Sequence, residues 1–336
     1  MTIDRADNPT AAAPASPWRF CVAPMLDWTD RHYRFLARQL SRHARLYTEM
    51  VTTGALLHGD VERHLRFDPT EHPVALQLGG SDPQALADAA RIGADWGYDE
   101  INLNVGCPSD RVQNGAFGAC LMAEPGLVAE CVAAMRAAVD VPVTVKSRIG
   151  IDHQETFDEF RAFVDVVSER GGAEVFIVHS RKAWLQGLSP KQNREVPPLR
   201  PEFATRLKQE RPDLTVVLNG GITALEAMRA ALAEVDGVMV GRAAYQNVGM
   251  LAEVDGALFG EEGRVDRLAA LTPYRDYVAA EIERGTRLPT LIKPILTLFQ
   301  GKPGARAYRR HLSEQAPKRP DDPAVIEEAI EQLRWR

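Results

Sequence analysis

The sequence is short of several things, and each shortage excludes something. Its four cysteines, Cys21, Cys107, Cys120 and Cys131, form no Cys-x-x-Cys pair and no Cys/His cluster. No metal-ligand spacing is present, so no metal is expected. Reduced thiols in a cytoplasmic protein are the default reading. No apolar run approaches the ~18 residues needed to span a bilayer, so no membrane partner is expected. The first 17 residues are rich in Ala, Pro and Asp, without a basic start followed by an apolar core. They read as a disordered tail rather than a signal peptide. A strong charge of either sign is also missing: 40 basic against 46 acidic residues leave a net −6. Alone, that balance argues weakly against a nucleic-acid partner. Finally, no Gly-x-Gly-x-x-Gly follows the first apolar run, which weakens a doubly wound dinucleotide fold.

What is present suits a globular protein. The 336 residues are 45% hydrophobic and 26% charged, enough for a sizeable core. Eight short β-rich runs alternate with longer amphipathic ones: Phe20–Met25, Leu46–Thr52, Val74–Gly80, Glu100–Cys107, Pro142–Gly150, Glu174–Arg181, Thr215–Gly221 and Gly237–Ala243. Several are apolar on both faces, as buried parallel strands are. Helices are expected at Ala85–Trp96, capped by Ser81 or Asp82, at Thr156–Arg170, and from Thr223 to Ala233. The predicted fold is α/β: a (β/α)8 TIM barrel over residues 18–262, with the doubly wound sheet as the alternative. After that, Thr272–Arg284, Leu291–Phe299 and Ala324–Leu333 predict a small all-helical C-terminal domain, residues 263–336. Nothing demands more than a monomer.

In such a barrel the chemistry sits where strands end. Those ends carry Pro24-Met25-Leu26-Asp27, Glu49, Gln77, Asn102, Asn104 and Cys107, Lys146 and Arg148, His179 and Arg181, Asn219-Gly220-Gly221, and Gly241-Arg242. The Gly220-Gly221 and Gly241-Arg242 turns follow the seventh and eighth strands, where barrels bind phosphate; the alternative is two ordinary turns. Alternation points Thr144, Lys146 and Arg148 one way and Val143 and Val145 the other. An inward Lys146 needs a charge, either a reduced flavin ring or a core carboxylate such as Glu49. His179 could serve structure or site, and Gln77 could bond a heterocycle edge.

Cys107 stands between Gly106 and Pro108 at a strand end. Cys21, Cys120 and Cys131 read as small buried hydrophobes. An ordinary thiol is protonated at cellular pH and can act as a general acid. A nucleophile would need a lowered pKa, and no Cys–His arrangement is evident. Residues 284–319 hold nine basic groups against Glu314 alone. Arg306, Arg309 and Arg310 share a helix face. Lys191 and Arg194 add cations to a barrel-face loop. The segment suits a phosphate-backbone partner; the alternative is a solvated helix face.

Together these segments resemble the tRNA-dihydrouridine synthases: Ala23-Pro-Met-Leu-Asp-Trp-Thr-Asp30, Leu103-Asn-Val-Gly-Cys-Pro-Ser109, Val145-Lys-Ser-Arg-Ile-Gly150, Asn219-Gly-Gly-Ile222 and Val240-Gly-Arg-Ala243. The stretches from His179 to Glu195 and from Phe299 to Arg306 are similar to the A-type bacterial subfamily. The resemblance implies an FMN-bearing barrel that uses NADPH to reduce the C5–C6 bond of D-loop uridines 20 and 20a in tRNA. It implies that Pro24, Met25, Leu26, Gln77, Lys146 and His179 hold the flavin ring. Asn219, Gly220, Gly221, Gly241 and Arg242 would hold its phosphate. Cys107 would be the acid and Asn104 the contact to the base, with Lys191, Arg194, Arg306 and Arg309 on tRNA. Two rivals remain: a flavin barrel acting on a free pyrimidine, and a non-catalytic RNA-binding barrel.

Overall fold

The computed structural model describes residues 16–109 and 116–333. The expected tail, up to residue 15, and part of the loop after Cys107 lie outside the described residues. Eight parallel strands form one sheet: β1 (Phe20–Val22), β2 (Leu46–Thr52), β3 (Val74–Gly79), β4 (Glu100–Val105), β5 (Val143–Arg148), β6 (Val175–His179), β7 (Thr215–Asn219) and β8 (Gly237–Val240). From β2 to β8 each strand pairs with the next in the chain, and β1 pairs with β8. A bridge between Cys21 and Arg45 brings β1 beside the approach to β2, so the ring nearly closes. This is the expected (β/α)8 barrel.

Most strands stop sooner than their apolar runs, because the backbone beyond them lacks an N–H, bonds elsewhere or takes a turn conformation. Ala23 still donates to Val240 at 2.9 Å, but Pro24 has no N–H to continue the ladder. Gly106 and Cys107 donate to the Asn104 side chain instead of a neighbouring strand. Gly220 and Gly221 take φ of 111° and 73°, a region that ends a strand.

The helices between strands include α1 (Arg31–Leu40), α2 (Pro83–Asp95), α3 (Pro125–Ala138), α4 (Phe157–Gly171), α5 (Glu202–Glu210) and α6 (Leu225–Ala231). Asp82 caps α2 by accepting from Ala85 at 2.7 Å, with Pro83 in the first turn. Thr156 and Glu159 form a capping box on α4, which ends at Gly172 with φ 76°. α6 departs from expectation. Thr223 does not cap it, because the backbone is still extended at Ala224 (φ −138°, ψ 153°).

Three longer helices or helical segments follow the barrel: α7 (Arg267–Glu283), α8 (Ala305–Gln315) and α9 (Ala324–Ile330). α7 begins before the expected Thr272, because Asp266 accepts from Leu268 at 2.9 Å and Pro273 is carried inside the helix. The single helix expected at Leu291–Phe299 is instead a short turn, Leu288–Leu291, and a 3-10 turn, Pro294–Thr297. Pro294 has no N–H to continue the first turn. α7 lies on α1: Phe35 and Tyr277 stack at 4.2 Å, and Arg31 pairs with the buried Glu281.

Two cores result. One lies between strands and helices; the other fills the barrel with Cys21, Ala23, Tyr47, Ala75, Val175, Ile177, Val217 and Met239. The barrel floor is polar. Glu100 is fully buried and accepts from Arg45 (3.0 Å), Trp18 (2.8 Å), Tyr47 (2.8 Å) and Thr144 (2.5 Å). Among the described residues no helix is long and apolar enough to cross a membrane.

Candidate active site

Strand alternation brings Gln77, Asn104, Lys146, Arg148, His179 and Asn219 to the open end of the barrel. The register places Asn104 beside Lys146, and His179 between Arg148 and Asn219. Lys146 bonds Asn219 Oδ1 at 3.0 Å. It does not reach Glu49, which instead accepts the Asp27 N–H at 2.5 Å. Burial first, then Arg148, depresses the Lys146 ammonium to about 7, opposed by Cys107. His179 is held well below its usual range by burial and then by Arg148, Lys146, Arg181 and Arg194, so its imidazole is neutral.

Arg148 is 3% exposed, yet among the described residues its guanidinium meets no carboxylate. It donates to Gly106 O (3.1 Å), Lys182 O (3.2 Å) and Asn193 O (2.9 Å). Burial lowers it to about 10, with Arg194 and Arg181 adding to the effect and Cys107 opposing it. Arg181 donates to Pro197 O. The sequence shows Arg148 and Arg181 only as strand-end residues, and their partners emerge only in three dimensions. Glu195 carried no signal: it matters because it pairs with Arg242 at 2.6 Å, 47 residues away.

Cys107 is half-buried, with Sγ 3.6 Å from Ser109 Oγ. Asn104 Oδ1 accepts from Gly106 (3.1 Å) and Cys107 (3.0 Å), and its Nδ2 donates to Gln77 Oε1 at 2.8 Å. Gln77 is therefore already bonded on both sides, its Nε2 donating to Asn102 at 2.7 Å. Cys21 and Cys131 are buried as expected, but Cys120 is half-buried, its thiol turned to Phe117 O.

The Pro24–Leu26 loop folds back on the barrel through Met25 N to Thr29 Oγ1 (2.9 Å) and Trp28 stacked on Tyr245 (4.5 Å). This leaves Leu26 68% exposed. At Gly220 and Gly221 a Cβ would collide with His179 and Leu199, so the turn needs glycine. Gly241 differs, with φ −96° and room for a Cβ. Lys191 and Arg194 are exposed on the loop beside this end. Arg306, Arg309 and Arg310 are exposed on α8, and none of the three has an acid partner among the described residues, while Tyr308 and Leu312 are buried. Of the basic stretch, Arg284 pairs with Glu281, and Arg319 with Asp322 and Glu328. His43, Asp255 and Glu261 have ligand atoms within 4.8 Å of one another, but Arg42 and Ser41 already partner them.

This end of the barrel can hold an anion, place a buried cation against a polar ring, and offer a thiol proton. Known proteins carry the same framework. The dihydrouridine synthase (Dus) family profile matches residues 21–333. A tRNA-dihydrouridine(20/20a) synthase of Vibrio cholerae is 54% identical over 319 residues, covering 95% of this chain and 97% of that one. The protein of the same name from Escherichia coli K12 is 55% identical over 329 residues, 96% and 95% of the two chains. That of Shewanella oneidensis is 58% identical over 300 residues, 89% of each. With the barrel, the strand-end residues and this extent of similarity together, the chain belongs to the dihydrouridine synthase family.

Proposed function

We propose that this chain is an FMN-bearing, NADPH-consuming tRNA-dihydrouridine synthase that reduces the C5–C6 bond of D-loop uridines 20 and 20a. The observation that carries the reading is the Cys107 thiol at the edge of buried cations, Lys146 and Arg148, that have no carboxylate partner among the described residues. An uncompensated buried cation is costly unless a ligand supplies the missing charge.

The residues fit FMN. The glycine-only turn at Gly220 and Gly221, with Asn219, Gly241 and Arg242, would take its phosphate. Lys146, His179, Gln77 and the Pro24–Leu26 loop would take its ring, Lys146 balancing the charge of the reduced form. When bound and reduced, the cofactor supplies a hydride to C6 of uracil. Cys107 then gives its thiol proton to C5, and the half-exposed thiolate recovers one from solvent. Asn104 retains one Nδ2–H beyond its bond to Gln77, free to hold a base edge.

A target base must leave its stack to enter the barrel, at a cost of a few kcal/mol. Backbone contacts offset that cost. Lys191 and Arg194 at the barrel end, and Arg306 and Arg309 on α8, supply exposed cations for phosphates. On this reading residues 18–262 perform the chemistry and 263–336 hold tRNA, as a single chain in the cytoplasm. The test is to map dihydrouridine in tRNA from a strain lacking the protein. Loss confined to positions 20 and 20a is expected; unchanged dihydrouridine there overturns the assignment.

A further inference from the structure

Side-chain hydrogen bonds inside the barrel run in one direction from floor to thiol. A carboxylate only accepts, so Thr144 must give its one proton to Glu100 (2.5 Å). Thr144 Oγ1 can then only accept, and it takes Asn102 Nδ2 at 2.8 Å. That turns Asn102 Oδ1 toward Gln77 Nε2, at 2.7 Å. Gln77 Oε1 is left to take Asn104 Nδ2, at 2.8 Å. Asn104 Oδ1 then faces the strand end, where it accepts the Gly106 and Cys107 N–H groups at 3.1 and 3.0 Å. Each amide orientation is dictated by the link below it. Glu100, Thr144 and Asn102 are 0% exposed, Gln77 1% and Asn104 9%, so water offers little alternative partner.

We propose that Thr144 and Asn102, anchored on Glu100, are positioning residues for Cys107. They fix which way the Asn104 amide points, and that amide holds the turn carrying the thiol. With the chain reversed, Asn104 would set its NH2 against two backbone N–H groups and the turn would open. Bonds aligned in series also strengthen one another, by about 10–30% each. The alternative is that Thr144 merely fills the barrel. The catalytic consequence rests on Cys107 being the acid; the geometric one does not.

The test compares Thr144→Val, which keeps the shape and removes the hydroxyl, with Thr144→Ser, which keeps the hydroxyl. In Thr144→Val, single-turnover dihydrouridine formation should fall on the order of 10- to 100-fold, the penalty of a displaced reacting group. Flavin reduction by NADPH should fall less than this, because of the series only Gln77 is assigned to the flavin. Alkylation of Cys107 by iodoacetamide, followed by peptide mass spectrometry, should change severalfold. Thr144→Ser should match the parent protein in every assay. Equal impairment of both variants, or parent-like behaviour of Thr144→Val, overturns the proposal. Should Thr144→Val fail to fold, Thr144→Ala against Thr144→Ser puts the same question. A Cys107→Ala variant is run alongside. If it turns over at the parent rate, the acid role fails, and alkylation alone decides the positioning role.

Discussion

The floor and the mouth of the barrel are both buried, polar and charged, yet they are built oppositely. At the floor, Glu100 meets Arg45, Trp18, Tyr47 and Thr144, and its carboxylate is answered on every side. At the mouth, Lys146 and Arg148 are answered, among the described residues, only by neutral oxygens. Buried polarity therefore does not mark a site. Charge that the protein leaves unbalanced does, because folding alone gives no reason to accept its cost.

The contrast can be broken most directly at the thiol. Cys107→Ala should lower single-turnover dihydrouridine formation by about 10²–10⁴-fold, the usual contribution of a positioned acid, with FMN and tRNA binding retained. Parent-like turnover would place the chemistry elsewhere. At the floor, Arg45→Met should act on folding instead. Stripping a buried carboxylate of its cation costs about 3–5 kcal/mol, read as a lower unfolding midpoint in denaturant, while the folded fraction keeps its flavin. Loss of flavin without loss of stability would erase the distinction between the two ends.

A third measurement uses pH. Lys146 is depressed to about 7, mainly by burial, from an ordinary 10.5. Between those values the unfolded chain binds more protons than the folded one. The penalty is fully present below about 7, and the flavin-free protein gains stability from this group as pH rises toward 10.5. Binding of anionic FMN favours the charged ammonium, so affinity should fall above pH 7 by up to about tenfold per unit. FMN titrations from pH 6 to 9 read this slope, and a flat profile would remove Lys146 from the cofactor site. The smallest effect concerns the outer surface. Arg306→Ala with Arg309→Ala should reduce the logarithmic salt slope of tRNA binding by about 1.4–1.8. An unchanged slope would leave α8 without a role in tRNA contact.

Much of this was legible in the chain, for identifiable reasons. Period-two alternation placed Lys146 and Arg148 on the inward side of β5, and apolar runs located all eight strands. Gly220-Gly221 announced a turn that only glycine tolerates. Partners were not legible. Arg148 bonds Gly106 O across 42 residues, and Lys146 reaches Asn219 across 73 rather than Glu49. Nor was the floor: Glu100 and Thr144 looked like ordinary strand residues until the ring closed. α7 starts before the expected Thr272, because Asp266 caps it and Pro273 is carried inside the helix.

The junction between α1 and α7 has a practical consequence. Glu281 is 1% exposed and gathers Arg31, Arg66, Arg284 and Thr286; burial opposes its charge, but Arg31 and the others hold it down at about 2. Tyr277 meanwhile bonds both Arg31 and His32. α1 is capped by Asp30, directly after the loop that borders the mouth. The helical region therefore cannot be cut off or exchanged as a cassette without stranding Arg31 and uncovering Phe35. A chimera between relatives would have to carry α1 with the helices it supports.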